Sequence, residues 1–342
     1  MITISGETGG GQLLRSSLTL SMITGQPFRM TRIRGARPKP GLMRQHLTCV
    51  KAAEAVSGAS VEGAEIGSKD LVFTPGTVRG GDYHFAIGSG GSTTLVMQTV
   101  LPALLTAAEK STVVIEGGTH NPMAPPAEFL QQCYLPALQR MGVKAQVHVD
   151  RPGFMQAGGG ILRAEILPLK KWKKIHLNER GAFQGAYGQV LHAHLDKQIA
   201  QREVTAAAGI LGWETDTIGI TPAASSIGPG SIVMLVANYE NVTELTSAVA
   251  EMGRAAEAVG SSAAKQLKNY MGNEAPVGIH LADQLLLPMA LAGGGSFTTF
   301  ALSKHTLSHM ELIPQFIPVK FEITELSGGV KSISVAQTKR VN

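Results

Sequence analysis

A stretch near the start of the chain combines arginines with a glycine turn and contains no acidic residue. No Asp or Glu lies between Glu7 and Glu54, and the basic residues within this stretch are Arg15, Arg29, Arg32, Arg34, Arg37, Lys39, Arg44 and Lys51. Clustered guanidinium groups repel one another, but their forked N–H groups match the oxygens of a phosphate. The triple glycine Gly9–Gly11 precedes an apolar run, and free N–H groups at a helix start also bind anions. The stretch therefore predicts a phosphate-binding site, with a solvated basic face as the alternative.

Histidines supply the candidate nucleophiles and metal ligands. His46 lies inside the basic stretch, His280 opens the segment HLADQ, and His305 and His309 occur together in SKHTLSHM. Residues four apart share one face of a helix, so the last two could bind a metal together. That segment lacks the glutamate of an HExxH motif, and the sequence does not favour a metal site there.

Three polar residues interrupt otherwise apolar helical segments. They are Gln98 in VMQTVLPAL, and Asp283 and Gln284 in HLADQLLLPMAL. Buried polar groups require hydrogen-bond partners, which a ligand or a neighbouring side chain can provide. A carboxylate in the first turn of a helix could serve the helix dipole, Mg²⁺ or a ribose hydroxyl. These residues are candidate ligand contacts, and structural hydrogen bonds remain the alternative.

Composition limits the class of protein. The 342 residues are 44% hydrophobic and 16% charged, which is typical of a globular chain. The net charge of +5 leans towards anionic partners without identifying one. The two cysteines, Cys49 and Cys133, lie among apolar residues and are expected to be buried free thiols. No signal-like start and no apolar run of about 18 residues is present, so we expect a soluble, cytoplasmic protein with no membrane partner.

The elements that must position these residues recur along the chain. Glycine clusters precede helical patterns at about 9–24 and 88–108, and a related apolar helix is predicted at 280–295. A second helix follows in each region, at 40–57, 125–141 and 306–316. β-branched runs, typical of strands, occupy 112–116, 143–149, 162–167 and 319–326. The pattern predicts repeated units of helices and strands that bury one another's sheet faces.

A section of different character interrupts the repeats at 180–274. It contains a helical pattern at 198–211, a predicted strand pair at 215–221 and 231–237 separated by the loop SSIGPGS, and an alanine-rich helical pattern at 242–270. We predict a small α/β domain inserted into a repeat-built domain of residues 1–179 and 275–342. The run KKWKK at 170–174 could contact nucleic acid or form a solvated turn.

Five segments of the chain closely resemble, in the same order, the RNA 3′-terminal phosphate cyclases. They are GGGQLLRSSLTLSMITGQP, IRGARPKPGLMRQHLT, PGTVRGGDYHFAIGSGGSTTLVMQTVLPAL, GGTHNPMAPPAEF and HLADQLLLPMALAGGG. The resemblance runs from about residue 9 to 321. It implies an α/β (α+β) fold with a large domain of three repeats, each of two helices on a four-stranded sheet, and a smaller inserted α/β domain. The enolpyruvate transferases have a related architecture.

The resemblance also implies an activity. Members of this family use ATP, with Mg²⁺ or Mn²⁺, to convert an RNA 3′-terminal phosphate into a 2′,3′-cyclic phosphate. A histidine becomes adenylated, AMP passes to the RNA 3′-phosphate, and the 2′-OH then expels AMP. The partner is therefore expected to be RNA with a 3′-terminal phosphate. A non-catalytic cyclase-like factor in RNA processing and an enolpyruvate transferase are the alternatives.

The family's functional positions fall on residues of this chain. The resemblance makes His305 the nucleophile and leaves His309 unmarked. It places the remaining site residues around the nucleotide: Arg15, Arg34 and Arg37 at phosphates, Gln45 and His46 in the same site, Gln98 and Pro125 against ATP, and Asp283 and Gln284 at the ribose and adenine.

Two positions depart from the family pattern. The family has Glu directly before the triple glycine, whereas this chain has Thr8 there and Glu7 one residue earlier. If the family's carboxylate helps to hold the metal, either Glu7 takes its place or metal use is altered in this chain, and Glu7 is the candidate metal ligand. His280 stands where the family often has a tyrosine, and an imidazole can also stack on adenine.

Overall fold

Three units of the chain share one order of strands and helices. The computed structural model describes residues 1–155 and 157–338. The first unit consists of β1 (Ile2–Ser5), α1 (Gly11–Thr24), β2 (Phe28–Thr31), α2 (Arg44–Ser57), β3 (Ser60–Glu62) and β4 (Leu71–Thr74). Its sheet has the order β1-β2-β4-β3, in which β1 and β2 are parallel and β4 is antiparallel to both neighbours.

The second unit repeats this arrangement. It consists of β5 (Gly81–Ala86), α3 (Thr93–Leu104), β6 (Ser111–Gly117), α4 (Ala127–Phe129), α5 (Leu135–Arg140), β7 (Ala145–Arg151) and β8 (Gly160–Ile166). A π-helical turn, Leu130–Tyr134, joins α4 to α5. The sheet order β5-β6-β8-β7 and its strand directions match those of the first unit.

The third unit is split after its first strand. Strand β9 (His176–Leu177) is followed by β10 (Phe183–Ala193), α6 (Lys197–Leu211), β11 (Ile218–Pro222), β12 (Gly230–Tyr239), β13 (Thr243–Val249) and α7 (Ala256–Met271). The unit then resumes with α8 (Ile279–Leu291), β14 (Gly294–Thr299), α9 (Lys304–Leu312), β15 (Val319–Glu325) and β16 (Lys331–Gln337). Its sheet has the order β9-β14-β16-β15, with β9 and β14 parallel. The predicted α/β fold of three such repeats with additional α/β elements is therefore confirmed.

The added elements form a fourth sheet of order β11-β10-β12-β13. Alternate residues of β12 belong to two hydrophobic clusters. Ile232, Met234 and Val236 pack into the main core, whereas Val233 and Leu235 pack into a second cluster with α6 and α7. Side chains of a strand point alternately to its two faces, so burial of both faces explains the continuous apolar run of β12.

Two predictions within this section were wrong. The alanine-rich pattern at 242–270 is not one helix, because β13 pairs with β12 before α7 begins at Ala256. Leu245 and Val249 are buried by the main core, and this tertiary packing outweighs the helix propensity of the neighbouring alanines. The strand patterns at 215–221 and 231–237 do not pair with each other, since β10 lies between β11 and β12. The domain boundaries 1–179, 180–274 and 275–342 stay predictions.

A buried polar network links the fourth sheet to helix α8. The Arg180 Nε–H donates to the carbonyl of Ala275 at 2.9 Å, and its guanidinium lies 4.0 Å from the ring centre of Tyr270. The Glu244 carboxyl, on β13, lies against Gly278, the residue that precedes α8, where a Cβ would overlap the carboxyl group. Burial raises the pKa of Glu244 to about 8, with the Arg180 charge and a backbone hydrogen bond at Gly278 acting in the opposite direction.

The remaining general expectations concern cysteines and membranes. Cys49 and Cys133 are both buried and free, as predicted. In residues 1–155 and 157–338, no helix combines the length and the hydropathy needed to span a membrane.

Candidate active site

Helix α1 begins without a side-chain cap, and basic side chains lie around its start. Its N-cap is Gly10, which provides no side-chain hydrogen bond. Arg37 Nη2 lies 3.1 Å from the place that a Cβ of residue 10 would occupy, and Arg15 Nη1 lies 3.2 Å from the equivalent place at Gly11. A Cβ at Gly11 would also overlap Nε2 of His46. The glycines therefore let three basic side chains approach the helix start, and we call this arrangement the glycine cradle.

The electrostatics of the glycine cradle favour an anion. Burial and the charges of Arg34 and Arg15 lower the pKa of His46 to about 3, so its imidazole is neutral near pH 7. Burial lowers the pKa of the Arg15 guanidinium, with Asp283 acting in the opposite direction, but an arginine stays charged in proteins. Uncapped N–H groups and cations at one helix start form a phosphate-binding environment.

Two of the predicted phosphate-site residues also hold neighbouring loops. Arg34 has a φ of 53°, and its Nη1–H groups donate to the carbonyls of Lys39 at 2.8 Å and Gly41 at 2.9 Å. The Gln45 side-chain oxygen accepts a hydrogen bond from the Ser92 backbone N–H at 2.7 Å. Arg34 is close enough to His46 for its charge to lower the pKa of His46, and Gln45 precedes His46 on α2. The contacts of Arg34 and Gln45 with the loops account for part of their hydrogen-bonding capacity.

A cavity of about 560 Å³ adjoins the glycine cradle and shares Arg15 with it. The predicted site residues that line it are Arg15, Gln98, Pro125, His280, Asp283, Gln284 and His305. They come from α1, α3, α8, α9 and the loop before α4, which are distant in sequence. Its volume is within the range of small-molecule sites.

His305 and Asp283 form the central contact of the cavity. Nδ1 of His305 lies 3.2 Å from Oδ2 of Asp283, and the His305 side chain is 48% exposed. A carboxylate only accepts hydrogen bonds, so Nδ1 carries the hydrogen in this pair. In the neutral imidazole, Nε2 then holds a free lone pair, which is the requirement for a nucleophile.

The His309 side chain contacts the backbone carbonyl of the same aspartate. Nδ1 of His309 lies 3.1 Å from the Asp283 carbonyl oxygen, and Nε2 lies 2.8 Å from the Ser16 hydroxyl. The carbonyl requires N–H at Nδ1, and burial lowers the pKa of His309, which favours the neutral form. The Ser16 hydroxyl therefore donates to Nε2. The four-residue spacing of the histidines indicated a shared face, but sequence reasoning missed this link between α1, α8 and α9.

The two predicted amide side chains of the cavity, Gln98 and Gln284, are paired. Gln98 Nε2–H donates to the side-chain oxygen of Gln284. The sequence left a structural hydrogen bond open as the alternative to a ligand contact, and the structure contains such a bond. Both residues also line the cavity. Pro125 is held in place because its carbonyl accepts a hydrogen bond from the Thr94 hydroxyl at 2.8 Å.

The added section also lines the cavity, which the sequence did not predict. Ser247 on β13, Gln266 on α7, and Glu251 and Arg254 in the loop between these elements contribute to its wall. No motif marked them, because their relation to the site depends on how the fourth sheet packs against the repeats.

Glu7 lies apart from the cavity lining. Its carboxylate forms an ion pair with Arg32 at 2.6 Å, and both side chains are largely exposed. Within the described residues, no group of three or more His, Cys, Asp or Glu side chains could hold a metal ion. The donor set therefore does not fit a metal cage built by the protein alone, although Mg²⁺ bound mainly through substrate phosphates needs only one or two carboxylates.

Comparisons with known proteins give the family. A family model described as RNA 3′-terminal phosphate cyclase matches residues 6–323. Among solved structures, the chain is similar to an EPSP synthase from Acinetobacter baumannii, with 13% sequence identity and a TM-score of 0.23. The similarity covers 58% of this chain and 53% of that chain, so the chain spans about half the length of the EPSP synthase.

Proposed function

This chain belongs to the RNA 3′-terminal phosphate cyclase family, and from that premise we propose that it is an active ATP-dependent cyclase. Its substrate would be an RNA with a 3′-terminal phosphate, and its product a 2′,3′-cyclic phosphate. The observation that carries the proposal is the contact between His305 and Asp283, in a cavity that shares Arg15 with the glycine cradle.

The proposed reaction uses His305 as a nucleophile. Asp283 holds Nδ1–H, so Nε2 attacks the α-phosphorus of ATP and pyrophosphate leaves. An oxygen of the RNA 3′-phosphate next attacks the bound adenylate, which transfers AMP to RNA and frees the imidazole. The oxygen of the neighbouring 2′-OH finally attacks the RNA phosphorus, its proton passes to solvent, and AMP leaves with the electron pair of the anhydride bond. Adenylation thus converts a poor electrophile into one with a good leaving group.

The surrounding residues bind and orient the substrates. Phosphate oxygens would be held by Arg15, Arg37 and the uncapped start of α1. These contacts would supply most of the catalytic effect, because phosphoryl transfer depends mainly on positioning and charge neutralisation. Arg34, Gln45 and His46 would support this side of the site. The residues proposed for the nucleoside are Gln98, Pro125, His280 and Gln284, with Asp283 shared between the ribose side and His305.

A divalent cation, Mg²⁺ or Mn²⁺, would supply charge neutralisation on the triphosphate. The residue proposed to contribute a carboxylate to it is Glu7. Because Glu7 is paired with Arg32, it would have to exchange that partner for the metal.

Covalent labelling with α-labelled ATP tests the proposal. We expect wild-type protein and His309→Ala to become labelled and His305→Ala to remain unlabelled. The label should be lost in acid and kept in alkali, as for a phosphoramidate. Loss of label only in His309→Ala would reverse the assignment of the nucleophile.

An unlabelled wild-type protein, with either metal, would contradict an active cyclase and support the non-catalytic RNA-processing factor. In that case Thr8, in place of the family's glutamate, would be the first position to restore. Turnover of a small phosphorylated alcohol with phosphoenolpyruvate would instead support an enolpyruvate transferase.

A further inference from the structure

The part of the cavity wall that the added section contributes includes one arginine, Arg254. It lies between β13 and α7, within the section added to the third repeat. The other permanently charged cations of the cavity lining are Arg15 and Lys304, which come from α1 and α9. Arg254 is therefore the cation that this section contributes to the cavity.

The hydrogen bonds of Arg254 are long. Its guanidinium lies 3.5 Å from the carbonyl of Val249 and 3.4 Å from that of Ala258, and it lies 3.9 Å from the carboxylate of Glu251. These distances are near or beyond the limit for a hydrogen bond, so the contacts are weak.

Two other arginines of the same section are held much more firmly. Arg202 makes two hydrogen bonds to Glu257, at 2.6 and 2.9 Å. Arg180 is buried, donates to the Ala275 and Tyr270 carbonyls, and stacks on two tyrosine rings. Arg254 thus has N–H groups available for a ligand in the cavity wall, whereas Arg202 and Arg180 use theirs in strong hydrogen bonds within the protein.

We propose that Arg254 is a phosphate-binding residue that the added section contributes to the active site. Its forked N–H groups would contact a phosphate of a substrate bound in the cavity, either the triphosphate of ATP or the terminal phosphate of the RNA. Glu251 is the acid that competes for the same guanidinium. This inference rests on the proposed function and gives the added section a direct part in it.

The test compares Arg254→Ala and Arg254→Lys with the wild type in two separate reactions. The first is labelling of the enzyme by α-labelled ATP, and the second is ring closure of an RNA that already carries AMP on its 3′-phosphate. Loss of a charge-assisted contact to phosphate should lower kcat/KM roughly 10- to 100-fold in at least one reaction, with partial rescue by lysine. A defect in labelling would identify the triphosphate of ATP as the group that Arg254 contacts. A defect confined to ring closure would identify the RNA phosphate as that group.

Arg202→Ala is the matched control, because Arg202 is an exposed arginine of the same section bound to Glu257. Equal rates for Arg254→Ala and the wild type in both reactions would overturn the inference, as would an equal loss in Arg202→Ala. Should Arg254→Ala fail to fold, Glu251→Gln provides a second test: it should lower the KM of the affected substrate, and a raised or unchanged KM contradicts the inference. Failure of the wild type to label or to close the ring would instead contradict the proposed function.

Discussion

The starts of helices α1 and α3 occupy equivalent places in the first and second repeats, yet they differ in chemistry. At α3, the N-cap Ser92 side chain accepts a hydrogen bond from Leu95 N–H at 3.3 Å, and Thr93 N–H donates to the Gly118 carbonyl at 2.8 Å. At α1, Gly10 offers no side-chain cap and basic side chains lie around it. The protein supplies hydrogen-bond partners at the start of α3, whereas at the start of α1 it places basic side chains and no side-chain cap.

The start of α8 in the third repeat shows another solution. Its N-cap, Gly278, has no side-chain cap of its own, but the Glu244 carboxyl from β13 lies against it. All three helix starts carry the same partial positive charge from the backbone, because the first N–H groups of a helix have no partner within that helix. The repeat therefore provides a common scaffold, and the three helix starts differ in the groups that surround them.

The largest expected effect comes from removing the cation shared by the glycine cradle and the cavity. Arg15→Met keeps the length and the apolar stem of the side chain but removes the guanidinium that we propose contacts phosphate, so labelling by ATP should fall roughly 10- to 100-fold. Arg29→Met, an exposed position of the same acid-free stretch on β2, is the control and should label at the wild-type rate. Equal rates for both variants would mean that the α1 start is no more an anion site than the α3 start.

A smaller effect is expected from the contact between His309 and the Asp283 backbone. His309→Leu removes the N–H donated to the carbonyl of Asp283, and we expect kcat for labelling to fall about 10-fold as His305 loses its alignment. His309→Asn places an amide N–H near the position of Nδ1 and should restore most of the rate. Similar rates in the two variants would contradict a positioning role for this hydrogen bond.

The carboxyl group at the α8 start should make stability depend on pH. The pKa of Glu244 is raised to about 8 in the folded protein, from a reference value of 4.5, so folding favours its protonated form. Its contribution to stability is present below pH 4.5 and is lost as pH rises towards 8. The free energy of unfolding of Glu244→Gln should therefore rise by roughly 4 kcal/mol relative to that of the wild type between pH 5 and 9, as measured by urea unfolding. A constant difference across this range would contradict the burial argument.

The smallest effect should come from the capped helix start. Ser92→Ala removes a side-chain N-cap from α3 and should lower the free energy of unfolding by about 1 kcal/mol. Labelling by ATP at a temperature where the variant is folded should stay at the wild-type rate. A fall in labelling as large as that of Arg15→Met would show that the second helix start takes part in the site.

Several features of the site could be predicted from the sequence. The absence of acids around Arg15 and Arg37, together with the triple glycine, predicted a cluster of cations at a helix start, and the structure places both arginines there. These residues lie close in sequence, so local spacing was sufficient. His305 could not be separated from the other histidines by spacing alone, and its assignment came from the resemblance.

Other features depended on residues far apart in the chain. The helical pattern at 242–270 was misread because pairing of β13 with β12 and burial in the core overrode the propensity of its alanines. The pairing of Gln98 with Gln284 joins helices from two repeats, and no local signal distinguishes this partner from a ligand.

Three properties could be inferred from the amino-acid sequence alone: the family, the two helical segments of each repeat, and the concentration of positive charge at the first helix start. These properties are written in local patterns of polarity, glycine and charge. The contacts of the site follow from the folded arrangement of the chain: Asp283 with His305, His309 with Ser16, and Arg254 in the cavity wall. The physical reason is that such contacts follow from the packing of whole repeats, and hydrogen bonds extend over about 3 Å in space regardless of separation in sequence.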